Sequence, residues 1–327
     1  MIEEGKARVE VEGVFYNPHM KQSRDLSVEV VKRIPEELYV LDGFAASGVR
    51  GIRYFLEAEN VKKVAFVDIN PRAIEILKKN IEINGVEGEI IKRPFEDLGT
   101  NLPYNFIEID PFGSPAQFIY PAILMAKHQK RFYLSVTATD TAVLCGRHKE
   151  ACLRNYHAWP LHDWTCHETG LRILMGFVIR AGYVYDYWAE VLFSFYYRHQ
   201  MKTIIKFEKG AQKIHDQLSH IGHIYRLPNL QKGVGIKERW AGPLWLGPLF
   251  HKDYINPELK LMREVSEELP IPYHYHLHEI AKHYKIQEVP PIKKVIKRLG
   301  GTRTHFSPLG FKTDKKIEEI VQAIKEA

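Results

Sequence analysis

Cysteine is scarce in this chain. Three occur in 327 residues, Cys145, Cys152 and Cys166. The number is odd and the spacing too wide for a disulfide framework, which fits a reducing compartment. No apolar run approaches the roughly 20 residues that cross a bilayer, and the start, Met1-Ile2-Glu3-Glu4, is acidic where a secretory signal is basic. These absences lead to the expectation of a cytoplasmic protein with no membrane partner. Internal repeats and low-complexity tracts are missing too. So are two nucleotide motifs. Where a Walker A loop needs Gly-Lys-Ser/Thr the chain has Gly48-Val49-Arg50, and Gly43, Gly48 and Gly51 do not keep the Gly-x-Gly-x-x-Gly spacing of a dinucleotide fingerprint.

What is present is ordinary in bulk and uneven in distribution. At 45% hydrophobic and 26% charged, with length for two domains, the chain reads as globular. Of a net charge of +6, most sits at the end: Tyr273 to Ala327 holds 11 Lys and Arg against 6 Asp and Glu, leaving 35 against 34 before it. Such asymmetry suits a polyanionic partner met by the C-terminal part, or a solvated lysine-rich helix face.

Strands and helices alternate through the first half. After an extended Ala7–Phe15 and a helix near Arg24–Arg33, strands are expected at 38–42, 64–68, 88–92, 106–110 and 131–136, with helices at 71–84 and 115–126 between them. That spacing implies a parallel sheet covered on both faces. Two aromatic-rich runs, Tyr187–Tyr197 and Met201–Phe207, read as an antiparallel hairpin closing its edge. The first domain is set at 1–209. In the second, 210–327, an irregular Gly/Pro-rich connector (Leu227–Pro248) leads to helices at 257–269, 273–284 and 291–299.

The most informative stretch is Asp110-Pro111-Phe112-Gly113-Ser114-Pro115, directly after the apolar strand Phe106–Ile109. Ligands bind at the carboxyl ends of strands in open α/β sheets. There, Asp110 and a peptide carbonyl of the Pro111 turn can accept the hydrogens of a ring amine while Phe112 stacks on the ring, which points to chemistry on a nucleobase amine. Asp42 to Gly51 is a strand-loop-helix turn of small residues with Phe44, Gly48 and Arg50 within it, and of the nucleotide readings it fits the loose acidic-plus-glycine loop of S-adenosylmethionine enzymes. Asp68 ends the second strand, where it accepts ribose hydroxyls or helps cap the next helix. Phe95 edges an adenine or fills the core. Thr137, Thr139 and Asp140 order the loop around a base or cap the following turn. Cys145, His148, Cys152, Cys166 and His167 include a Cys-x6-Cys pair, but without the tight pairs of most structural zinc sites, so buried thiols are preferred and no metal is expected.

The chain resembles the archaeal and eukaryotic tRNA guanine-N2 dimethyltransferases, along almost its whole length. The landmarks are Phe15-Tyr16-Asn17-Pro18 with Arg24-Asp25, Ala46 to Gly51, Asp110 to Pro115, Val136 to Asp140, Leu144-Cys145-Gly146, Cys166-His167-Glu168, Gly242 to Leu249 and Thr302 to Pro308. The resemblance implies a class I S-adenosylmethionine-dependent fold, a mostly parallel seven-stranded sheet with an antiparallel hairpin, plus a smaller α+β domain. It implies transfer of one or two methyls to N2 of guanine 26 in tRNA, with S-adenosylhomocysteine as product; a monomer is expected, although the sequence does not state the oligomeric state. Arg24, Arg50 and Asp68 would hold the methyl donor and Asp110 would be catalytic. Pro94 departs from the acidic residue relatives tend to carry, which puts adenine recognition there in question. The four-cysteine zinc cluster of some relatives is absent, since no cysteine follows Cys166. For tRNA phosphates the candidates are Lys293, Lys294, Lys297 and Arg298 on one helix, then Arg303, Thr304, His305 and Lys312. Two other readings were weighed: a DNA adenine-N6 methyltransferase, where an Asp-Pro-Pro-Tyr turn serves, and a non-catalytic RNA-binding protein on the same fold.

Overall fold

The computed structural model describes all residues 1–327. A hairpin, β1 (Ile2–Glu4) and β2 (Ala7–Val9), leads to helix α1 (Lys21–Lys32). The extended segment expected as far as Phe15 ends at Val9. Beyond it the Glu10 backbone N–H donates to Asn80 Oδ1 instead of to a strand. Then come β3 (Leu38–Asp42), α2 (Val49–Glu57), β4 (Val61–Val67), α3 (Pro71–Asn84), β5 (Gly88–Ile91), β6 (Phe106–Ile109), α4 (Ala116–Ala126) and β7 (Arg131–Ala138). Local chemistry sets these ends. Asn70 accepts the Arg72 N–H to start α3, with Pro71 in the first position, and Gly85 ends it at φ +58.

Three helices unassigned by sequence follow: α5 (Thr141–Leu144), α6 (Lys149–Tyr156) and α7 (Cys166–Tyr183). The hairpin β8 (Tyr187–Tyr197) and β9 (Gln200–Lys209) comes next. The seven strands run in the order β5-β4-β3-β6-β7-β9-β8; β5, β4, β3, β6 and β7 are parallel, and β9 pairs antiparallel with both β7 and β8. The chain winds outward from β3 to β5 and then jumps to β6 on the other side of β3. The crevice beyond the β3 and β6 carboxyl ends is therefore the switch point where α/β sheets bind ligands.

After α8 (Ala211–Gln217) comes β10 (Ile221–Arg226), and the expected irregular connector beyond it instead carries β11 (Lys232–Val234) and β12 (Trp240–Trp245), which pair with β10 in a sheet ordered β11-β10-β12. Its glycines and prolines hid it: Gly242, at φ +136, meets β10 so closely that an added Cβ would lie 2.6 Å from Gly222 O. Beyond α9 (Lys260–Ser266), the helix expected over 273–284 is split into β13 (Tyr275–His276) and α10 (Leu277–His283). Then α11 (Ile292–Leu299), β14 (Thr302–Arg303), β15 (Gly310–Lys312) and α12 (Ile317–Lys325) complete the chain, with a second small sheet ordered β13-β15-β14. One apolar core of 74 residues spans the large sheet, β12 (Leu244, Trp245) and α9 (Met262, Val265). A second of 13 residues gathers Leu230 and residues from Tyr275 to Ile324. No helix is long and apolar enough to cross a membrane.

Candidate active site

At the switch point lies a cleft of about 660 Å³, lined by residues from the loops after β3, β4, β5, β6 and β7 and from the segment before α1. Asp42, Phe44, Asp68, Phe95, Asp110, Pro111 and Phe112 all face it, as do Arg24 and Arg50. The strand ends bring them together: Asp42 pairs in register with Glu108 across β3 and β6, and Asp110 follows two residues on.

Asp110 stands on a buried ionic platform. Arg50 Nη2 donates to Asp110 Oδ2 at 2.5 Å, and Arg50 Nε lies 3.5 Å from Glu108 Oε1. Lys202 Nζ, on β9, donates to Glu108 Oε1 at 2.6 Å and to Thr137 Oγ1 at 3.0 Å, and the Tyr54 hydroxyl donates to Glu108 Oε2 at 2.8 Å. Glu108 and Lys202 are fully buried, whereas the Asp110 side chain keeps 28% of its exposure. Burial alone would raise the Asp110 pKa; the Arg50 guanidinium, and after it the Lys202 ammonium, outweigh that and hold the carboxyl below its ordinary value. Asp42 goes the other way. Burial, then the neighbouring Glu108 charge, push it up to about 7.

The Asp110 turn is pinned from the end of β7. Gly113, at φ +81, donates its N–H to Thr139 Oγ1 at 2.8 Å, and Thr139 N–H donates to Gly113 O at 2.9 Å. The Tyr156 hydroxyl donates to Asp140 at 2.8 Å and accepts from Ser114 Oγ at the same distance. Thr139 and Asp140 thus order the Asp110 turn. Phe112 projects from it, 78% exposed, with Phe15 edge-on at 4.7 Å between ring centroids.

On the far side of the cleft, Asp68 Oδ2 accepts the Ala46 N–H at 2.9 Å and Oδ1 that of Asn70 at 2.8 Å. Asn70 itself caps α3, so Asp68 ties two loops together and keeps lone pairs for hydroxyl donors. Gly48 begins α2 at φ +78. Phe95 is buried and stacked on Phe44 at 5.3 Å, with Phe118 edge-on to both, so it serves the core and lines the cleft at once.

Several expected contacts are elsewhere. Arg50 is expected from the resemblance to hold the methyl donor, but its three nitrogens face Asp110, Glu108 and, at 3.4 Å, Ser27. Arg24 is forked onto Glu4 at 2.7 and 2.5 Å and onto Asn17 O, which leaves Nη1 without a protein partner. Thr137, expected against the base, is buried below the site, where its hydroxyl supports Lys202 and Asp110. His305 is not a phosphate contact: its ring is buried on Glu268. Lys312 is buried between Glu168 and Glu268. Lys293, Lys294, Lys297, Arg298 and Arg303 are exposed, although Arg298 pairs with Glu326 and Lys294 donates to the Ala327 carbonyl. Sequence reasoning missed His199 and Gln200, which reach the cleft from the β8–β9 turn, and Glu108 and Lys202 beneath it. Two charges alternating into apolar strands were the available signal for the latter pair. The fold also gathers Cys145, Cys166 and His167 with ligand atoms within 4.8 Å of one another, a grouping the Cys-x6-Cys spacing concealed. It is one donor short of a closed tetrahedral site.

Comparison with known proteins agrees with this architecture. A model of the N2,N2-dimethylguanosine tRNA methyltransferase family matches residues 2–325. The tRNA (guanine(26)-N(2))-dimethyltransferase of Pyrococcus furiosus is 36% identical, covering 99% of this chain and 98% of its own length; that of Archaeoglobus fulgidus is 35% identical with the same coverage. The solved structure of Trm1 from Pyrococcus horikoshii with S-adenosyl-L-methionine superposes with a TM-score of 0.91 at 33% identity, covering 99% of both chains. The chain therefore belongs to the N2,N2-dimethylguanosine tRNA methyltransferase family.

Proposed function

We propose that the enzyme transfers methyl groups from S-adenosylmethionine to N2 of guanine 26 in tRNA, giving N2-methyl- and then N2,N2-dimethylguanosine. The observation that carries this reading is the single cleft with Asp68 and the small-residue turn at one end and Asp110 and Phe112 at the other. Its size lies within the roughly 300–1,000 Å³ of cofactor sites.

The donor set fits S-adenosylmethionine. Asp68 retains lone pairs for the ribose hydroxyls, Phe44 and Phe95 offer an apolar edge for the adenine, and Arg24 Nη1 is free for the carboxylate. When bound, the cofactor supplies a methyl already activated as a sulfonium. The chain's own work is positioning. Phe112 stacks the flipped guanine, a contact worth roughly 1–3 kcal/mol on similar platforms. Asp110, kept ionised by Arg50, accepts a hydrogen bond from the exocyclic amine. That favours the tetrahedral nitrogen needed for attack, and the carboxylate takes or relays the departing proton. Because its pKa is depressed, Asp110 acts more as an orienting acceptor than as a strong base. Arg50 is thus assigned to positioning Asp110.

Docking of tRNA falls to the part after residue 209, with Lys293, Lys297 and Arg303 exposed for phosphates. We take the enzyme to act as a cytoplasmic monomer, since one chain supplies every side of the cleft and all three thiols are unpaired. Unmodified tRNA transcript incubated with enzyme and S-adenosylmethionine, then digested to nucleosides, is expected to show methylguanosine appearing before dimethylguanosine. A transcript carrying adenosine at position 26 is expected to stay unmodified; methylation of it, or no methylguanosine from the native transcript, refutes the assignment.

A further inference from the structure

A second groove, of about 620 Å³, lies between the segment after α6 and strands β10 and β12, and it shares no residue with the catalytic cleft. We propose that it holds a nucleotide of the tRNA other than the target guanine, its base against tryptophan and its phosphates on a cluster of cations. The proposal rests on the tRNA reading above.

The lining is aromatic and cationic. Trp159, 37% exposed, and Trp240 provide indole surface, while Lys149, Arg226 and Arg239 provide positive charge against one carboxylate, Glu238. Lys149 and Arg239 are exposed and form no ion pair within the protein. Indole faces stack bases of any identity, and cations beside them bind the backbone, the combination that proteins use for unpaired nucleotides.

The charge below the groove is only partly offset, which is an independent pointer to an anion. Arg226 is only 7% exposed and packs its guanidinium over the Trp164 ring at 4.9 Å, yet its Nε has no hydrogen-bond partner. Its Nη1 lies 3.5 Å from Asp163, and the same carboxylate is also the ion-pair partner of buried Lys232, at 3.4 Å. Two buried cations therefore share the Asp163 carboxylate, with Glu168 acting on Lys232 from farther off. Leaving a buried charge undercompensated is costly, and a phosphate in the groove would offset it.

The groove is also tied to the catalytic turn. Trp159 exchanges both backbone hydrogen bonds with Gly242, at 2.8 Å each, two residues beyond Trp240, so the two walls are fixed to each other. Three residues before Trp159, the Tyr156 hydroxyl holds Ser114 and Asp140 beside Asp110. A nucleotide seated here would grip the tRNA through the same short helix that braces the active site.

The test uses full-length enzyme and an unmodified tRNA transcript. Lys149→Ala with Arg239→Ala is expected to lower tRNA affinity on the order of tenfold at 0.15 M salt and to flatten the slope of log affinity against log salt by about two. The methylation rate at saturating tRNA and the S-adenosylmethionine affinity measured by calorimetry should not change. Trp159→Ala is expected to lower affinity with the salt slope intact, and Trp159→Phe to restore most of it. Wild-type affinity and salt slope in the double variant overturn the groove while leaving the methyltransferase reading in place. Wild-type enzyme that fails to bind and methylate tRNA overturns both.

Discussion

Two buried ionic networks are built from the same residue types and end differently. Under the cleft, Arg50, Lys202 and Glu108 are sealed, but the chain of contacts terminates in Asp110, which reaches solvent. Between α7 and the C-terminal strands, Glu168 accepts from Lys312 at 2.6 Å and Arg172 at 3.0 Å and pairs with His274 at 2.7 Å, while Glu268 holds His305 and Lys312; every one of these side chains is 3% exposed or less. The first network holds down the pKa of a group that lines the cleft. The second joins one part of the molecule to another and presents nothing. What distinguishes the two networks is one carboxylate left at a surface, not the composition of the cluster.

Four experiments would break or sharpen that contrast. The largest effect is expected at the open end: Asp110→Ala should slow methyl transfer roughly 10²–10⁴-fold and leave tRNA affinity nearly unchanged, as read by nucleoside analysis and filter binding. An active variant would remove Asp110 from the mechanism. At the sealed network, Glu168→Ala leaves Lys312 and Arg172 short of a partner and is expected to cost about 3–5 kcal/mol in denaturant unfolding. A loss under about 1 kcal/mol would show that the network is dispensable.

Asp42 sharpens the comparison through pH. Its folded pKa is raised to about 7, so the native state keeps a proton that the unfolded chain releases near the ordinary carboxylate value of 3.8. Between those two values the native state binds more protons than the unfolded one, and the group's contribution to stability falls as pH rises. Relative to wild type, Asp42→Asn should therefore gain stability from pH 4 to pH 8, by up to a few kcal/mol. A constant difference across that range contradicts the shift. The smallest effects belong to the surface. Phe112→Ala should cost roughly 1–3 kcal/mol in transition-state binding, seen as a lower kcat/KM, with Phe112→Tyr close to wild type. Equal damage from both would mean that the ring does not act by stacking.

The strands at 38–42, 106–110 and 131–136 were legible because each is a short, mostly apolar run, the first two ending in aspartate, and the structure places them within two residues of expectation. The β8–β9 hairpin was readable for the same reason. The sheet built on β10 to β12 was not, because Gly242 and Pro243 are local signals of a loop, whereas Gly242 is there to let its backbone approach Gly222 and pair with Trp159, more than 60 residues earlier in sequence. The C-terminal basic excess was read as one surface. Yet His305 and Lys312 meet carboxylates more than 30 residues away and turn inward, while Lys293 and Lys297 stay in water.

Sequence alone determined the alternating α/β plan, the Asp-Pro-Phe turn after a buried strand and the acidic ends of two neighbouring strands, because each depends on residues within a few positions of one another. Tertiary structure alone decided which arginine keeps an unpartnered nitrogen and which pairs with Asp110, and it decided which basic residues are exposed. A charge's role depends on what lies within about 4 Å of it in space, and that neighbourhood, as between Arg50 and Asp110, is assembled from residues 60 positions apart.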